Sequence, residues 1–135
     1  MKAAVRVLDS FSLIAYLEGE EGAERMVEVF RTARDSGRDL LLSVINWGEV
    51  YYITLREAGR ERAEQAAHII STLPIQVVPV DLELTKATAE FKANKKMSYA
   101  DCFAAALAKV RRAELVTGDG DFKMVEGEVK IFWIR

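Results

Sequence analysis

The stretch AVRVLDSFSLIAYLEG, residues 4–19, decides the fold class of this chain. Its first five residues form a mostly apolar run, which predicts a buried strand that ends at Asp9. Leu13, Ile14 and Leu17 then recur at the spacing of a helix face, and the segment closes on a glycine, which is a common helix stop. A strand followed at once by a helix is the beginning of an alternating α/β pattern.

The same alternation of strand and helix continues along the chain. Short apolar runs predict four more strands, and longer segments with helical spacing of apolar residues predict five more helices. The predicted strands cover residues 40–44, 75–80, 114–119 and 129–134, and the predicted helices cover residues 21–36, 45–59, 61–72, 82–94 and 98–110. This order indicates a three-layer α/β/α sandwich with a central, mostly parallel five-stranded sheet.

Length and composition predict one globular domain over residues 1–135. Half of the residues are hydrophobic and 30% are charged, and the formal net charge of −2 is not typical of a nonspecific nucleic-acid coat. No apolar run approaches the ~20 residues of a membrane span. Because no basic-then-apolar signal precedes the first strand, we expect a cytoplasmic protein without a membrane partner. The single cysteine and single histidine exclude a disulfide framework and offer no soft metal site.

Four acidic residues in four separate predicted elements adjoin apolar sequence, and each has a purely local explanation. Asp9 is of a type favoured at a helix N-cap. Glu49 could close a capping box that begins at Asn46, or could be a solvated helix residue. Asp101 follows a serine in the S-x-x-D pattern of a capping box. Asp119 could be an ordinary turn aspartate.

Taken together, the four acids indicate a metal site. Asp9 follows one predicted strand and Asp119 ends another, and the carboxyl ends of parallel strands meet at one edge of a sheet. The helix of Asp101 could begin at the same edge, and no Lys or Arg stands in these short stretches to neutralise the acids. Clustered carboxylates repel one another, and hard oxygen ligands select Mg²⁺ or Mn²⁺. Such a cation activates water for attack on a phosphodiester.

The segments VLDSFSLIAYL, SVINWGEVYY, SYADCFAAALA and LVTGDGDF resemble, in order and spacing, the four acidic motifs of the PIN-domain nucleases. More narrowly, they resemble those of the VapC toxins of prokaryotic toxin–antitoxin pairs. The resemblance covers nearly the whole chain. It implies an α/β/α sandwich around a parallel sheet, and an Mg²⁺- or Mn²⁺-dependent endoribonuclease that hydrolyses RNA phosphodiester bonds.

The resemblance also implies which residues form the site. The motif match gives a catalytic acidic quartet that also binds the metal, made up of Asp9, Glu49, Asp101 and Asp119. Asp121 matches a further metal-binding acid that some members use. Ser10 and Thr117 match supporting hydroxyl positions beside the first and last acids, where they would orient ligands or waters. Gly120 stands where many relatives have a longer and often basic residue.

Substrate and protein partners are expected as well. Lys92, Lys95 and Lys96 form the best local basic patch for RNA phosphates, although cations at a solvated helix end would explain them equally well. The resemblance implies a cognate VapB-like antitoxin that binds across the acidic groove, and a homodimer. The aromatic residues of NWGEVYY, residues 46–52, also favour a homodimer because they exceed the obvious needs of a small core.

Two functions from other classes remain as alternatives. A receiver-like signalling domain is also a small α/β protein that uses Mg²⁺ and aspartates, but it would need acidic neighbours after the first strand. Asp9 has none, and the acids of PVDLEL, residues 79–84, open a helix instead of following the strand as a phosphate acceptor would. A noncatalytic RNA-binding module of PIN type is disfavoured by the intact acidic quartet.

Overall fold

Parallel strand pairing organises the protein, and the computed structural model describes residues 4–135. The strands are β1 (Arg6–Leu8), β2 (Leu40–Ser43), β3 (Ile75–Val78), β4 (Glu114–Thr117) and β5 (Ile131–Trp133). The helices are α1 (Ser10–Glu18), α2 (Ala23–Ser36), α3 (Val44–Ala58), α4 (Arg60–Thr72), α5 (Leu82–Asn94) and α6 (Tyr99–Arg111), and a 3₁₀-helix spans Gly120–Val125. All strand pairs are parallel, and helices cover the sheet, which confirms the predicted α/β/α class.

The order of the strands is β3-β2-β1-β4-β5, so β1 lies at the centre. The chain builds one half of the sheet outward from β1 to β3, and then crosses to β4 and β5 on the other side. The switch point therefore lies between β1 and β4, where ligands of parallel sheets bind beyond the carboxyl ends of the strands. Leu8 pairs with Val116 in this register, so the residues that follow β1 and β4 emerge side by side.

The two faces of the sheet bury separate apolar clusters, because successive strand residues point to opposite faces. Val7 and Leu115 contribute to the cluster beneath α5 and α6, whereas Leu8 and Val116 contribute to the cluster beneath α1, α2 and α3. Buried alanines fill α6 and allow it to pack closely, and its fully buried residues include Cys102. The free thiol is therefore a small core residue. Across residues 4–135, no helix combines the length and hydropathy that a membrane crossing requires.

The observed strands are shorter than the predicted ones, for identifiable reasons. β2 ends at Ser43 because the Ser43 hydroxyl accepts a hydrogen bond from the Ile45 N–H at 3.2 Å and begins α3 as its N-cap. β3 ends at Val78 because Pro79 has no N–H to donate to the ladder. β4 ends before residue 118, where the chain turns into the 3₁₀-helix, an element that the sequence analysis did not anticipate.

Candidate metal centre

Three carboxylates converge beyond the carboxyl ends of β1 and β4. One carboxylate oxygen from each of Asp101, Asp119 and Asp121 lies within 4.8 Å of the other two. Asp121 is exposed and the other two are half-buried, so the group opens to solvent. Among the residues that the structure describes, no lysine or arginine forms an ion pair with any of the three. Three unneutralised oxygen donors at this separation fit a hard divalent cation.

The 3₁₀-helix that follows β4 places two of these acids on one turn. Asp119 is its N-cap, and the Asp119 Oδ1 accepts a hydrogen bond from the Asp121 N–H at 2.9 Å. Phe122 and Val125 are fully buried and anchor the 3₁₀-helix to the core. The side chains of Asp119 and Asp121 are therefore held on a short, fixed segment.

Asp101 reaches the same place from the first turn of α6. Its N–H donates a hydrogen bond to the Ser98 Oγ at 3.1 Å, which confirms the predicted capping role of the S-x-x-D pattern. Burial is the largest cause that raises the pKa of Asp101 to about 6, and three neighbouring carboxylates raise it further, those of Asp119, Glu49 and Asp121. The negative charges of the other acids therefore add to the effect of burial on the pKa of Asp101.

Asp9 is almost completely buried, with 1% of its surface exposed. It is the N-cap of α1, and its Oδ1 accepts a hydrogen bond from the Ser12 N–H at 2.8 Å. Burial raises the pKa of Asp9 to about 7, although hydrogen bonds from Thr117 and Ser12 act in the opposite direction. The negative charge of Asp101 also raises the pKa of Asp9, as the last of these causes in size. Asp9 is both a capping residue and a desolvated acid beside the three-carboxylate group.

The Thr117 hydroxyl connects the buried acid to the open group. It donates a hydrogen bond to the Asp9 Oδ2, and it accepts one from the Asp119 N–H at 3.0 Å. Thr117 is fully buried at the end of β4. Ser10, the first residue of α1, is also buried. The hydroxyl of Thr117 therefore orients one acid directly and fixes the backbone of a second.

Glu49 approaches from α3 and is held by a residue that the sequence analysis assigned differently. The Asn46 Nδ2 donates hydrogen bonds to the Glu49 Oε1 and to the Ala100 carbonyl oxygen, both at 3.1 Å. Of the two local explanations for Glu49, the capping box that begins at Asn46 is not formed, because Ser43 is the N-cap of α3. Asn46 is fully buried, and within residues 4–135 its Oδ1 has no hydrogen-bond partner. One side chain thus ties Glu49 to the start of α6.

No curated protein matches the chain in sequence. The family model described as PIN domain matches residues 6–128, which include every acid of the site. The chain belongs to the PIN domain family.

Solved structures share this PIN fold over nearly their whole length. The DNA-bound VapBC from Salmonella typhimurium has a TM-score of 0.79 and 18% identity, with 98% of this chain and 100% of that chain covered. VapBC2 from Rickettsia felis, bound to a promoter DNA fragment, has a TM-score of 0.75 and 14% identity, with 95% of this chain and 97% of that chain covered. Mycobacterium tuberculosis VapC20, described as a sarcin-ricin loop cleaving toxin, has a TM-score of 0.72 and 19% identity, with 93% of this chain and 97% of that chain covered. These likenesses establish the fold.

The three lysines predicted to bind RNA differ in whether their side chains have partners within the chain. The Lys92 Nζ donates a hydrogen bond to the Met97 carbonyl oxygen at 2.8 Å. The Lys95 Nζ lies 2.7 Å from the Glu128 Oε2, and only 17% of the Lys95 side chain is exposed. Lys96 is exposed. Two of the three lysines thus already have partners within the chain.

Proposed function

We propose that this PIN domain is an Mg²⁺- or Mn²⁺-dependent endoribonuclease that hydrolyses RNA phosphodiester bonds. The observation that carries the proposal is the group of three carboxylates of Asp101, Asp119 and Asp121, whose oxygens lie within 4.8 Å of one another. In the described part of the chain no basic side chain neutralises it. A fold tolerates such a group poorly unless a cation binds there, and hard oxygen ligands select Mg²⁺ or Mn²⁺.

The residues of the chain would have different roles in such a metal site. The proposed metal-binding acids are the catalytic quartet and one further acid: Asp9, Glu49, Asp101, Asp119 and Asp121. Of these, Asp101, Asp119 and Asp121 form the three-carboxylate group. When bound, the cation would supply Lewis-acid activation of the attacking water and stabilise charge on the phosphodiester oxygens. The Thr117 hydroxyl keeps Asp9 oriented. Because burial raises the pKa of Asp9 to about 7, occupation of the site would also favour loss of the Asp9 proton near neutral pH.

We further propose that the protein acts in the cytoplasm as the toxin of a type II toxin–antitoxin pair. Support comes from the fold that it shares with VapC20 and with the toxin–antitoxin complex structures of Salmonella typhimurium and Rickettsia felis. Its partner would be a VapB-like antitoxin that covers the acidic groove, and it would form a homodimer. Tyr52 on α3 supports the homodimer, because this large aromatic residue is 49% exposed in the single chain.

The experiment that tests the nuclease proposal is RNA cleavage with Mn²⁺ and with EDTA. We expect cleavage only with the metal, and we expect Asp101→Asn to reduce its rate by about 100-fold or more. Asp35→Asn, which changes the same type of side chain at an exposed position on α2, is the matched control and should cleave at the wild-type rate. Binding of RNA without any cleavage in Mn²⁺ would instead favour a noncatalytic RNA-binding module.

The partner proposal is tested by light scattering of the purified chain at tens of micromolar. We expect the mass of a dimer, and a monomer mass would contradict the homodimer. The proposed antitoxin would be a small DNA-binding protein encoded by a neighbouring gene. Its coexpression should abolish cleavage and should restore growth of cells that express the nuclease.

A further inference from the structure

The guanidinium group of Arg135 is fixed beside the acidic site by two independent contacts. The Arg135 Nε donates a hydrogen bond to the Gly118 carbonyl oxygen at 2.8 Å. Gly118 lies between Thr117, which binds Asp9, and Asp119 of the three-carboxylate group. The guanidinium carbon also lies 4.7 Å from the centre of the Phe11 ring, a cation–π contact with the first turn of α1.

Gly118 is required for this arrangement because both side chains pack directly on it. A Cβ atom at position 118 would lie 2.6 Å from the Phe11 Cε1 and 3.1 Å from the Arg135 Cγ. No atom stands within 4 Å of the place where a Cβ of Gly120 would be, so the space on the other side of Asp119 is open. Arg135 is thus held against the loop that carries Asp119.

Most of the hydrogen-bonding capacity of Arg135 remains free. A guanidinium has five N–H donors, and only the Nε–H is used in a short hydrogen bond. Among the described residues Arg135 forms one ion pair, with Glu21, whose Oε2 lies 3.8 Å from the Arg135 Nη1, and both side chains of that pair are well exposed. Exposed pairs of this kind hold their partners weakly. In the described structure no ion pair joins Arg135 to an acid of the metal centre.

We propose that Arg135 binds a backbone phosphate of the RNA beside the scissile bond. The inference rests on the proposed endoribonuclease function and names a substrate contact for it. A phosphodiester that approaches five acids needs a positive group in addition to the cation, and a planar guanidinium binds phosphate through two parallel hydrogen bonds. Arg135 meets this requirement with its orientation already fixed, whereas Lys92 and Lys95 have partners within the chain.

The test is the salt dependence of RNA binding, measured by fluorescence anisotropy with a labelled single-stranded RNA of mixed sequence. The buffer contains Ca²⁺ in place of Mn²⁺, so that a hard cation occupies the acids while cleavage is suppressed. For Arg135→Met we expect affinity about tenfold lower than wild type. The slope of log K against log salt concentration should be shallower by about 0.7, the contribution of one phosphate on a single strand. Arg135→Lys should keep the slope and lose part of the affinity.

The matched control is Arg111→Gln, which removes an exposed arginine from the last turn of α6. Arg111 lies ten residues along the helix from Asp101, or about 15 Å from it. We expect Arg111→Gln to bind RNA with the wild-type slope. If it lowers the slope as much as Arg135→Met does, the effect is one of overall charge and the assignment of Arg135 is overturned.

A second readout separates phosphate binding from a purely structural role of Arg135 at the Gly118 loop. The rise in melting temperature caused by Mn²⁺ reports whether the acids are still correctly placed. We expect the same rise for Arg135→Met as for wild type. A smaller rise, or a wild-type salt slope, would overturn the proposal. If the wild-type protein itself neither binds nor cleaves RNA, the proposed nuclease function fails instead.

Discussion

Two α-helices of this protein begin at an aspartate that follows a strand, and their capping hydrogen bonds have the same length. Asp9 stands between β1 and α1, and its Oδ1 accepts from the Ser12 N–H at 2.8 Å. Asp81 precedes α5 shortly after β3, and its Oδ1 accepts from the Leu84 N–H at 2.8 Å. Both N-caps have an extended backbone. In local structure the two aspartates are equivalent.

Their surroundings differ because β1 is the central strand and β3 is an edge strand. Phe11, two residues after Asp9, packs on Gly118 of the neighbouring strand–loop segment. Leu82, directly after Asp81, is 83% exposed. Asp9 is consequently buried next to the acidic group, whereas Asp81 is exposed. Capping chemistry alone therefore does not distinguish the two aspartates, whereas the position of the preceding strand in the sheet decides which of them lies beside the acidic group.

The largest expected difference between the two aspartates is in catalysis. Asparagine keeps the capping oxygen, so Asp9→Asn and Asp81→Asn should both preserve their helices. We expect Asp9→Asn to lower the rate of Mn²⁺-dependent RNA cleavage by about 100-fold or more, because it removes a charge beside the metal centre. Asp81→Asn should cleave as wild type does. Equal rates for the two variants, measured at saturating Mn²⁺, would show that Asp9 is only a cap.

A smaller effect is expected at Asn46, the residue that links the acids of α3 and α6. Asn46→Ala removes the hydrogen bonds to Glu49 and Ala100, and loss of such an orienting contact typically costs 10-fold to 100-fold in metal affinity. We therefore expect Mn²⁺ to bind about tenfold more weakly, as measured by calorimetric titration. The control is Asn94→Ala on α5, whose amide donates to the Glu90 carbonyl oxygen at an exposed site. Wild-type Mn²⁺ affinity in Asn46→Ala would remove Asn46 from the site.

The smallest expected difference is in the pH dependence of stability without metal. Because burial raises the pKa of Asp9 to about 7, the folded protein holds this proton more tightly than the unfolded chain, in which the pKa is 3.8. The resulting stabilisation is complete below the unfolded pKa and is lost as the pH rises through the folded one. In EDTA, the free energy of unfolding should fall from about pH 4 to pH 7, on the order of a few kcal/mol.

The same pair of variants isolates the contribution of Asp9 to this profile. Asp9→Asn should flatten the fall in stability, whereas Asp81→Asn should follow the wild-type curve. The raised pKa of Asp101, about 6, acts in the same direction and will leave part of the slope in place. Urea unfolding at a series of pH values measures the effect. If the profile for Asp9→Asn matches wild type, ionisation of Asp9 does not lower the free energy of unfolding, and the raised pKa of Asp9 is contradicted.

Elements and acids with strong local patterns could be predicted from the sequence. The apolar run before Asp9 predicted β1 and the sheet edge at which it ends, and the S-x-x-D pattern at Ser98 predicted the start of α6. Both predictions were possible because periodicity and capping are local properties of the sequence. The parallel sheet followed from the alternation of elements. Strand ends were less predictable: Pro79 and Ser43 shorten their strands through hydrogen-bond chemistry that a run of apolar letters does not contain.

Contacts between distant segments could not be predicted. Asn46 binds the carbonyl of Ala100, 54 residues away. Arg135, which follows β5, binds the carbonyl of Gly118, which follows the neighbouring strand β4. Neither pair has a spacing that helix or strand geometry imposes. The partner of Lys95, Glu128, is likewise known only once α5 and the segment before β5 are packed together. A basic patch in the sequence therefore says little about which lysines are free to bind RNA.

The central claim is that the acidic cluster is a cation site, and the melting temperatures of wild type and Asp101→Asn test it most directly. Each protein is melted in EDTA and in excess Mn²⁺. Because Asp101→Asn removes one repelling charge, it should melt at or above wild type in EDTA, and it should gain much less from Mn²⁺, which stabilises only a state that binds it. A lower melting temperature in EDTA together with an undiminished gain from Mn²⁺ would contradict the claim and leave Asp101 as part of a helix cap.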